Sequence, residues 1–240
     1  MSSLILVRHG QASFGTSNYD KLSEIGVAQS ETLGRYWAGR AQRLDAVFSG
    51  AQERQRHTLR LVGERYANAG LRFPEPTILE AFNEYDAEAV ITALYPTLVE
   101  KDHRLRQIAE QKLNISDGST QGRKAFQKAF EIVLSAWIDG AVQGDLMESY
   151  NAFQERVVRG VQKLKSQFPS GKRVAVFTSG GVISAAVGYA LDISPHKAMS
   201  LQWVIKNSSY TEFIFGADRF TLSGFNHTPH LVDDSLVTYR

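Results

Sequence analysis

The chain contains no cysteine. Disulfides, thiolate nucleophiles, cysteine zinc sites and iron–sulfur clusters are therefore excluded together. The absence fits a reducing cytoplasm, which is the expected location. Long hydrophobic runs are also missing, and none approaches the roughly 18 apolar residues that mark a membrane span. The run Leu4 to Val7 is too short for a signal-peptide core, and no basic segment precedes it. Neither membrane insertion nor secretion is expected, so the sequons at Asn114, Asn207 and Asn226 read as chance. Charge of one sign is not in excess: 27 basic residues face 25 acidic ones, a net of +2. A pI near 8.8 is too mild to argue for a nucleic-acid partner. No Walker-type phosphate loop, zinc-ligand spacing, internal repeat or low-complexity tract occurs.

What is there is ordinary for a globular protein. The 240 residues are 43% hydrophobic and 22% charged. A chain of this size buries roughly 70–75% of its unfolded surface and needs no covalent staple.

Ser3 to Val7 is a short apolar run without polar alternation, the pattern of a strand buried on both faces. Gly15 to Asp20 reads as loop. Ser23 is a good N-cap for a helix running to about residue 40, with Val27, Leu33 and Trp37 on its apolar face. Leu44 to Phe48 is a second strand, and residues 51–69 form a helix with a basic first half. Phe73 to Leu79 carries Pro74 and Pro76, as a link or edge strand would. Residues 85–150 differ in character, with helix-period segments, many charges and a polar break from Asn114 to Gly122. They are expected to form a helical insertion over the main sheet. An amphipathic helix covers 150–168 with Phe153, Val157, Val161, Leu164 and Phe168 on one stripe. Arg173 to Phe177 is a third buried strand, which turns through Ser179-Gly180-Gly181 into a helix over 182–191. Ser209 to Phe215 and Arg219 to Phe225 form a hairpin around Gly216-Ala217-Asp218.

Strands alternating with helices predict a mainly parallel α/β sheet with helices on both faces, a three-layer arrangement in a single domain over 1–240. Ligands of such sheets bind beyond the carboxyl ends of the strands. Three strand ends carry polar, glycine-containing segments: Arg8-His9-Gly10, Ser49-Gly50 leading to Arg54, and Ser179-Gly180-Gly181. They are expected to make one site. A histidine at a strand end can use one neutral ring nitrogen as a nucleophile while a backbone carbonyl orients the other. Gly10 would admit a bulky group, and Arg8 offers a planar fork for phosphate oxygens.

"LVRHGQAS", "KLSEIGVAQSETLG" and "FSGAQERQRHT", in that order, resemble the histidine phosphatase superfamily, the phosphoglycerate-mutase-like proteins. Leu22, Ser23, Gly26 and Gln29 match its Leu-Ser/Thr-x-x-Gly-x-x-Gln helix start, Arg54 and Thr58 its second arginine and threonine, and Phe82-Asn83-Glu84 its acidic segment. Of these, Ser23, Gly26 and Gln29 read as structural: a cap, a close-packing position and a helix-surface contact. The resemblance covers residues 3 to about 85 and about 150 to 230 and implies a phosphohistidine mechanism. His9 would attack phosphorus. Glu84, which Glu80 and Asp86 rival for the place, would protonate the leaving oxygen. Arg8 and Arg54 would bind the phosphoryl oxygens, with Gly10, Ser179 and Gly180 lining the substrate. The resemblance implies no metal and no cofactor. Gln11 and Ser13 are further phosphate contacts or merely polar loop.

Two departures stand out. Members of the family usually carry a second histidine in a His-Gly pair after the later strand, and Ser179 stands there instead. His57, His227 and His230 are substitutes by residue type, as are the amides at the start of the following helix. Gly15 stands where many members place an asparagine. The expected function is a phosphatase on a small phosphorylated molecule. The alternatives are a phosphoglycerate-type mutase, for which Lys101, His103, Arg104, Arg106 and Arg123 could clamp a second phosphate, and a weakly active phosphate-binding regulator. The sequence leaves the oligomeric state open, a homodimer included.

Overall fold

The computed structural model describes residues 1–13, 20–110, 120–141 and 147–239. Gly15 and Asn114 lie outside the described residues.

The chain divides into two compact units, Met1–Glu84 with Arg156–Arg240, and Tyr85–Glu155. The first unit holds a six-stranded sheet of β1 (Ser2–Arg8), β2 (Ala46–Ser49), β3 (Pro76–Ile78), β4 (Arg173–Thr178), β5 (Tyr210–Phe215) and β6 (Phe220–His227), in the order β3-β2-β4-β1-β5-β6. The neighbours from β3 to β1 are parallel, and β5 and β6 add an antiparallel edge. Register decides where the chemistry can sit. Arg8 pairs with Thr178 and Ser49 pairs with Phe177, so β1, β4 and β2 finish at one level. The segments that follow them, at His9, Ser179 and Gly50, emerge at one edge of the sheet.

Helices cover both faces. On one side α1 (Glu24–Gly39) and α2 (Glu53–Asn68) close a core of Leu33, Trp37, Leu59, Val62 and Tyr66 over Ile5, Val7, Val47, Ala175 and Phe177. The indole of Trp37 meets Phe177 edge-on, 6.4 Å between centroids. The alternate strand residues Leu4, Leu6, Val174 and Val176 are buried on the other side. There α6 (Tyr150–Gln167) contributes Val157, Val161 and Leu164. On the same side α7 (Gly180–Leu191) packs on β1 and β6 and is buried from Gly180 to Gly188. A helix apolar all round is the kind expected inside a core rather than on a surface. It begins two residues earlier than the sequence suggests, because Ser179 in extended backbone takes the N-cap position. A short helix, α8 (Pro195–Ser200), follows.

The second unit comprises α3 (Ala87–Lys101), α4 (His103–Glu110), α5 (Thr120–Ile138) and the start of α6. Its core is aromatic. Tyr85, Trp137, Tyr150 and Phe153 are all buried, with centroids of 4.8 Å for Tyr85–Trp137 and 5.4 Å for Trp137–Tyr150. The indole N–H of Trp137 donates to the Glu148 carbonyl. Among the described residues no helix is long and apolar enough to cross a membrane.

Candidate active site

His9 follows β1 immediately and is 5% exposed. Its amide donates to the Thr178 carbonyl and its carbonyl accepts from the Ser208 amide, so the backbone is held by β4 on one side and by the turn before β5 on the other. The ring is held as firmly. Nδ1 lies 2.7 Å from the Gly10 carbonyl, and Nε2 lies 3.2 Å from Nε of Arg54. A carbonyl can only accept and a guanidinium can only donate. The tautomer follows: Nδ1 carries the proton, and Nε2 presents a lone pair. Burial first, then the charges of Arg54 and Arg8, hold the His9 pKa well below the ordinary 6.5. The imidazole is therefore neutral at pH 7, and its Nε2 lone pair faces a guanidinium, where an anionic phosphoryl group would be drawn in.

Arg54 is in the first turn of α2 and is 7% exposed. Its Nη1 donates to Asp20 at 2.6 Å, and Asp20 also accepts from the Glu53 amide at 2.8 Å. One carboxylate thus caps the helix and aims the guanidinium. Arg56 and Arg60, the rivals on the same helix, are exposed and pair with Glu53 and Glu64. Thr58, wholly buried, donates to the Arg54 carbonyl and accepts from the Gly10 amide, which fastens α2 to the end of β1. Arg8 donates to the Ile205 carbonyl, and its guanidinium lies beside Gly180, where an added Cβ would be 3.7 Å from Cζ. Glu84 accepts from the Gly181 amide at 2.9 Å, while Glu80 is exposed and Asp86 N-caps α3. The fold therefore brings His9, Arg8, Arg54, Glu84, Ser179 and Gly180 to the same sheet edge.

Several expectations need correction. At Gly10 a Cβ would lie 2.3 Å from the Gly26 carbonyl, so a close approach that this glycine permits is that of α1. Gln29 is not a surface contact. It is fully buried, its Oε1 accepting from the Gln11 amide and its Nε2 donating to the Leu236 carbonyl and Thr238. The Gln11 side chain accepts from Ser23, which ties it to the start of α1 rather than to a ligand. Ser179 is 1% exposed, and its hydroxyl accepts from Nε2 of Gln55 at 2.8 Å. Of the helix-start amides offered as a phosphate cradle, that of Gly181 is taken by Glu84. The substitute histidines point elsewhere. His227 is exposed with its ring 5.4 Å from Tyr210, and His57 is half-buried on α2, its pKa lowered by burial and by Arg60. His230 bonds Ser208 through Nε2 and sits between Tyr36 and Tyr210.

Four residues in this neighbourhood had no sequence signal or only a weak one. Asp20 lies far from Arg54 in sequence. Gln52 and Gln55 stand at the start of α2, with the Gln52 amide 3.4 Å from Gln55 Oε1, so a Gln-x-x-Gln capping pattern was the one readable hint. Arg156 donates to carbonyls just before Glu84 and looked like one more charge on an amphipathic helix.

A family model described as the histidine phosphatase superfamily (branch 1) matches residues 4–101 and 87–228. The chain belongs to that superfamily. Among solved structures, a mutant phosphoserine phosphatase from Entamoeba histolytica in complex with phosphoserine is 17% identical, with a TM-score of 0.63, covering 97% of this chain and 100% of its own. A mycobacterial glucosyl-3-phosphoglycerate phosphatase in complex with VO3 is 19% identical, with a TM-score of 0.60 and coverage of 94% and 99%. A phosphoglycerate mutase from Bacillus anthracis str. Sterne is 16% identical, with a TM-score of 0.60 and coverage of 95% and 94%. At these identities the likeness is one of fold. No curated protein matches the sequence.

Proposed function

We propose that this protein hydrolyses a small phosphomonoester through a phosphohistidine on His9. The observation that carries the reading is the neutral ring of His9, Nδ1–H on the Gly10 carbonyl and Nε2 toward Arg54. As phosphorus approaches, the Arg54 N–H turns from Nε2 to a phosphoryl oxygen. Nε2 forms the N–P bond, the ester P–O bond breaks, and the leaving oxygen takes a proton from Glu84. Water then attacks phosphorus, Glu84 accepts its proton, the N–P bond breaks and phosphate leaves. Arg8 and Arg54 balance the charge on the equatorial oxygens throughout. The phosphoserine and glucosyl-3-phosphoglycerate phosphatases of the same fold support hydrolysis as the reaction class. Residues 85–150 are taken as an insertion within one domain that sets which substrate is accepted, and the cysteine-free composition supports a cytoplasmic location.

The mutase reading is weaker. Arg104 pairs with Asp102, and Arg106 with the Glu100 carbonyl, so two of its proposed clamp residues are engaged. A second reading, a slow enzyme that mainly binds phosphate, is favoured by Ser179, whose hydroxyl is neutral and bonded to Gln55.

The test is turnover of p-nitrophenyl phosphate together with alkaline quenching and phosphorus NMR. A phosphoramidate in the wild type, absent in His9→Ala along with a loss of about 10³-fold or more in kcat, is the expected result. Unchanged turnover by His9→Ala would falsify the nucleophile. Tight phosphate binding without turnover would favour the binding protein. Phosphoryl transfer between 3-phosphoglycerate and bisphosphoglycerate would favour the mutase.

A further inference from the structure

We propose that Arg156, on α6, is a positioning residue that sets the direction of Glu84; the proposal rests on Glu84 acting as the general acid. The carbonyls of the four residues before Glu84 all accept from side chains. Nη1 of Arg156 donates to the carbonyls of Glu80 at 3.0 Å, Ala81 at 3.1 Å and Asn83 at 3.0 Å. The intervening carbonyl, of buried Phe82, accepts from Thr178 at 2.7 Å and from Gln55 at 3.3 Å. Asn83 itself is tied by its side chain to the Ala51 amide at 2.6 Å.

The contact that matters most is at the Asn83–Glu84 peptide. Its carbonyl accepts from Arg156, and its amide donates to Gln52 Oε1 at 3.2 Å. A peptide unit is planar, so fixing both its ends fixes the plane. The plane in turn fixes the N–Cα bond of Glu84, which leaves one backbone rotation, φ, to set where its side chain departs. Glu80–Phe82 is a single 3-10 turn in which the Glu80 carbonyl also accepts the Asn83 amide, while the carbonyls at its end lie beyond the turn's own bond and carry partial negative charge. A cation gathering three carbonyls is the electrostatic match, and α6 brings it close: a Cβ on Gly160 would lie 2.7 Å from Ala81 Cβ. Arg156 has no need to touch substrate. Its effect is to keep the Glu84 carboxyl where proton transfer is in line, and an error of about 1 Å in such a group can cost on the order of 10²-fold.

The readout is dependence on the leaving group. p-Nitrophenolate leaves with little help, whereas phenolate needs the proton. kcat/KM is measured for p-nitrophenyl phosphate and phenyl phosphate with the wild type, Glu84→Gln and Arg156→Met, alongside inhibition by inorganic phosphate. Glu84→Gln should lose at least tenfold more on phenyl phosphate than on the nitro ester. Arg156→Met should lose in the same direction, by threefold or more, with phosphate inhibition within twofold of wild type. Where Arg156→Met does not fold, Arg156→Gln is measured for the same bias. Equal losses on both esters, no loss, or a tenfold weaker phosphate inhibition would overturn the role of Arg156 while leaving a biased Glu84→Gln intact. An unbiased Glu84→Gln would instead overturn Glu84 as the acid, and the proposal with it.

Discussion

Two parallel strands lie side by side in the sheet and end alike, in Arg8-His9-Gly10 and Thr178-Ser179-Gly180. At the first end a buried imidazole meets a guanidinium, with its tautomer dictated by Gly10. At the second a buried hydroxyl meets the amide of Gln55, and no charge is present on that side chain. The His9 ring and the Ser179 hydroxyl both have hydrogen-bond partners, so the presence of a partner does not separate them. What separates them is the partner each strand end finds on α2. Arg54 in its first turn serves β1, and Gln55, the next residue, serves β4. Two consecutive residues of one helix thus give the two strand ends different partners, a cation for the imidazole and a neutral amide for the hydroxyl.

Removing the partner at the first end should have the largest effect. Arg54→Met takes away the donor that faces His9 Nε2 and, on the proposed function, a phosphate ligand, and should lower kcat/KM by roughly 10²–10³-fold. It also removes one of the charges that hold the His9 pKa down. In the wild type, His9 stays neutral well below pH 6.5, so its acidic limb in kcat/KM lies well below that value. In Arg54→Met the limb should move upward, toward neutrality. A pH–rate profile with an unmoved limb would show that burial alone sets the ring's state.

The second end can be converted toward the first. Ser179→His alone should lower activity, because the ring enters a buried position already bonded to Gln55. Pairing it with Gln55→Ala clears that side chain and should raise kcat/KM at least tenfold over the single variant, which is about 1.4 kcal/mol of barrier. A double variant no better than the single would mean that volume at Gln55 is not what bars an imidazole.

A third measurement separates the two histidines built around β1. His9 and His230 are both neutral when folded, His230 with its pKa lowered to about 4 chiefly by burial. Unfolded, each would bind a proton near pH 6.5. Stability is then fully present above pH 6.5 and falls as the pH drops from there, for His230 down to about 4. The slope is about 1.4 kcal/mol per pH unit for each proton taken up on unfolding. His230→Gln should reduce the slope of urea-derived stability between pH 6 and 5 by up to that amount. An unchanged slope would show that His230 is not the group being protonated.

The smallest effect should come from chelation. The cations at the first strand end are arginines, and among the described residues no group of His, Asp or Glu is arranged to hold a metal ion. Excess EDTA should leave turnover within twofold. A loss restored by magnesium or zinc would break the comparison, since the charge at the site would then not be supplied by Arg8 and Arg54.

Much of this was readable from local chemistry. Buried strands announce themselves as apolar runs, and Ser23 caps α1 through the Gly26 amide as its residue type suggests. The order and spacing of the motifs around Arg8, His9 and Arg54 were enough to carry a resemblance to the histidine phosphatase superfamily, and that resemblance implied the phosphate chemistry, with Glu84 rivalled by Glu80 and Asp86. The partners were not readable. Asp20 reaches Arg54, Gln55 reaches Ser179, Arg156 reaches Asn83 and Gly26 reaches Gly10 only through the packing of helices on the sheet. The tautomer of His9, the packing of Gly10 on α1, the bond of Ser179 to Gln55 and the contact of Glu84 with the Gly181 amide all depend on such long-range contacts. A sequence lists which donors and acceptors are present, but which of them meet is set by strand register and helix packing, and that pairing decides whether a buried polar group does chemistry or merely holds the fold.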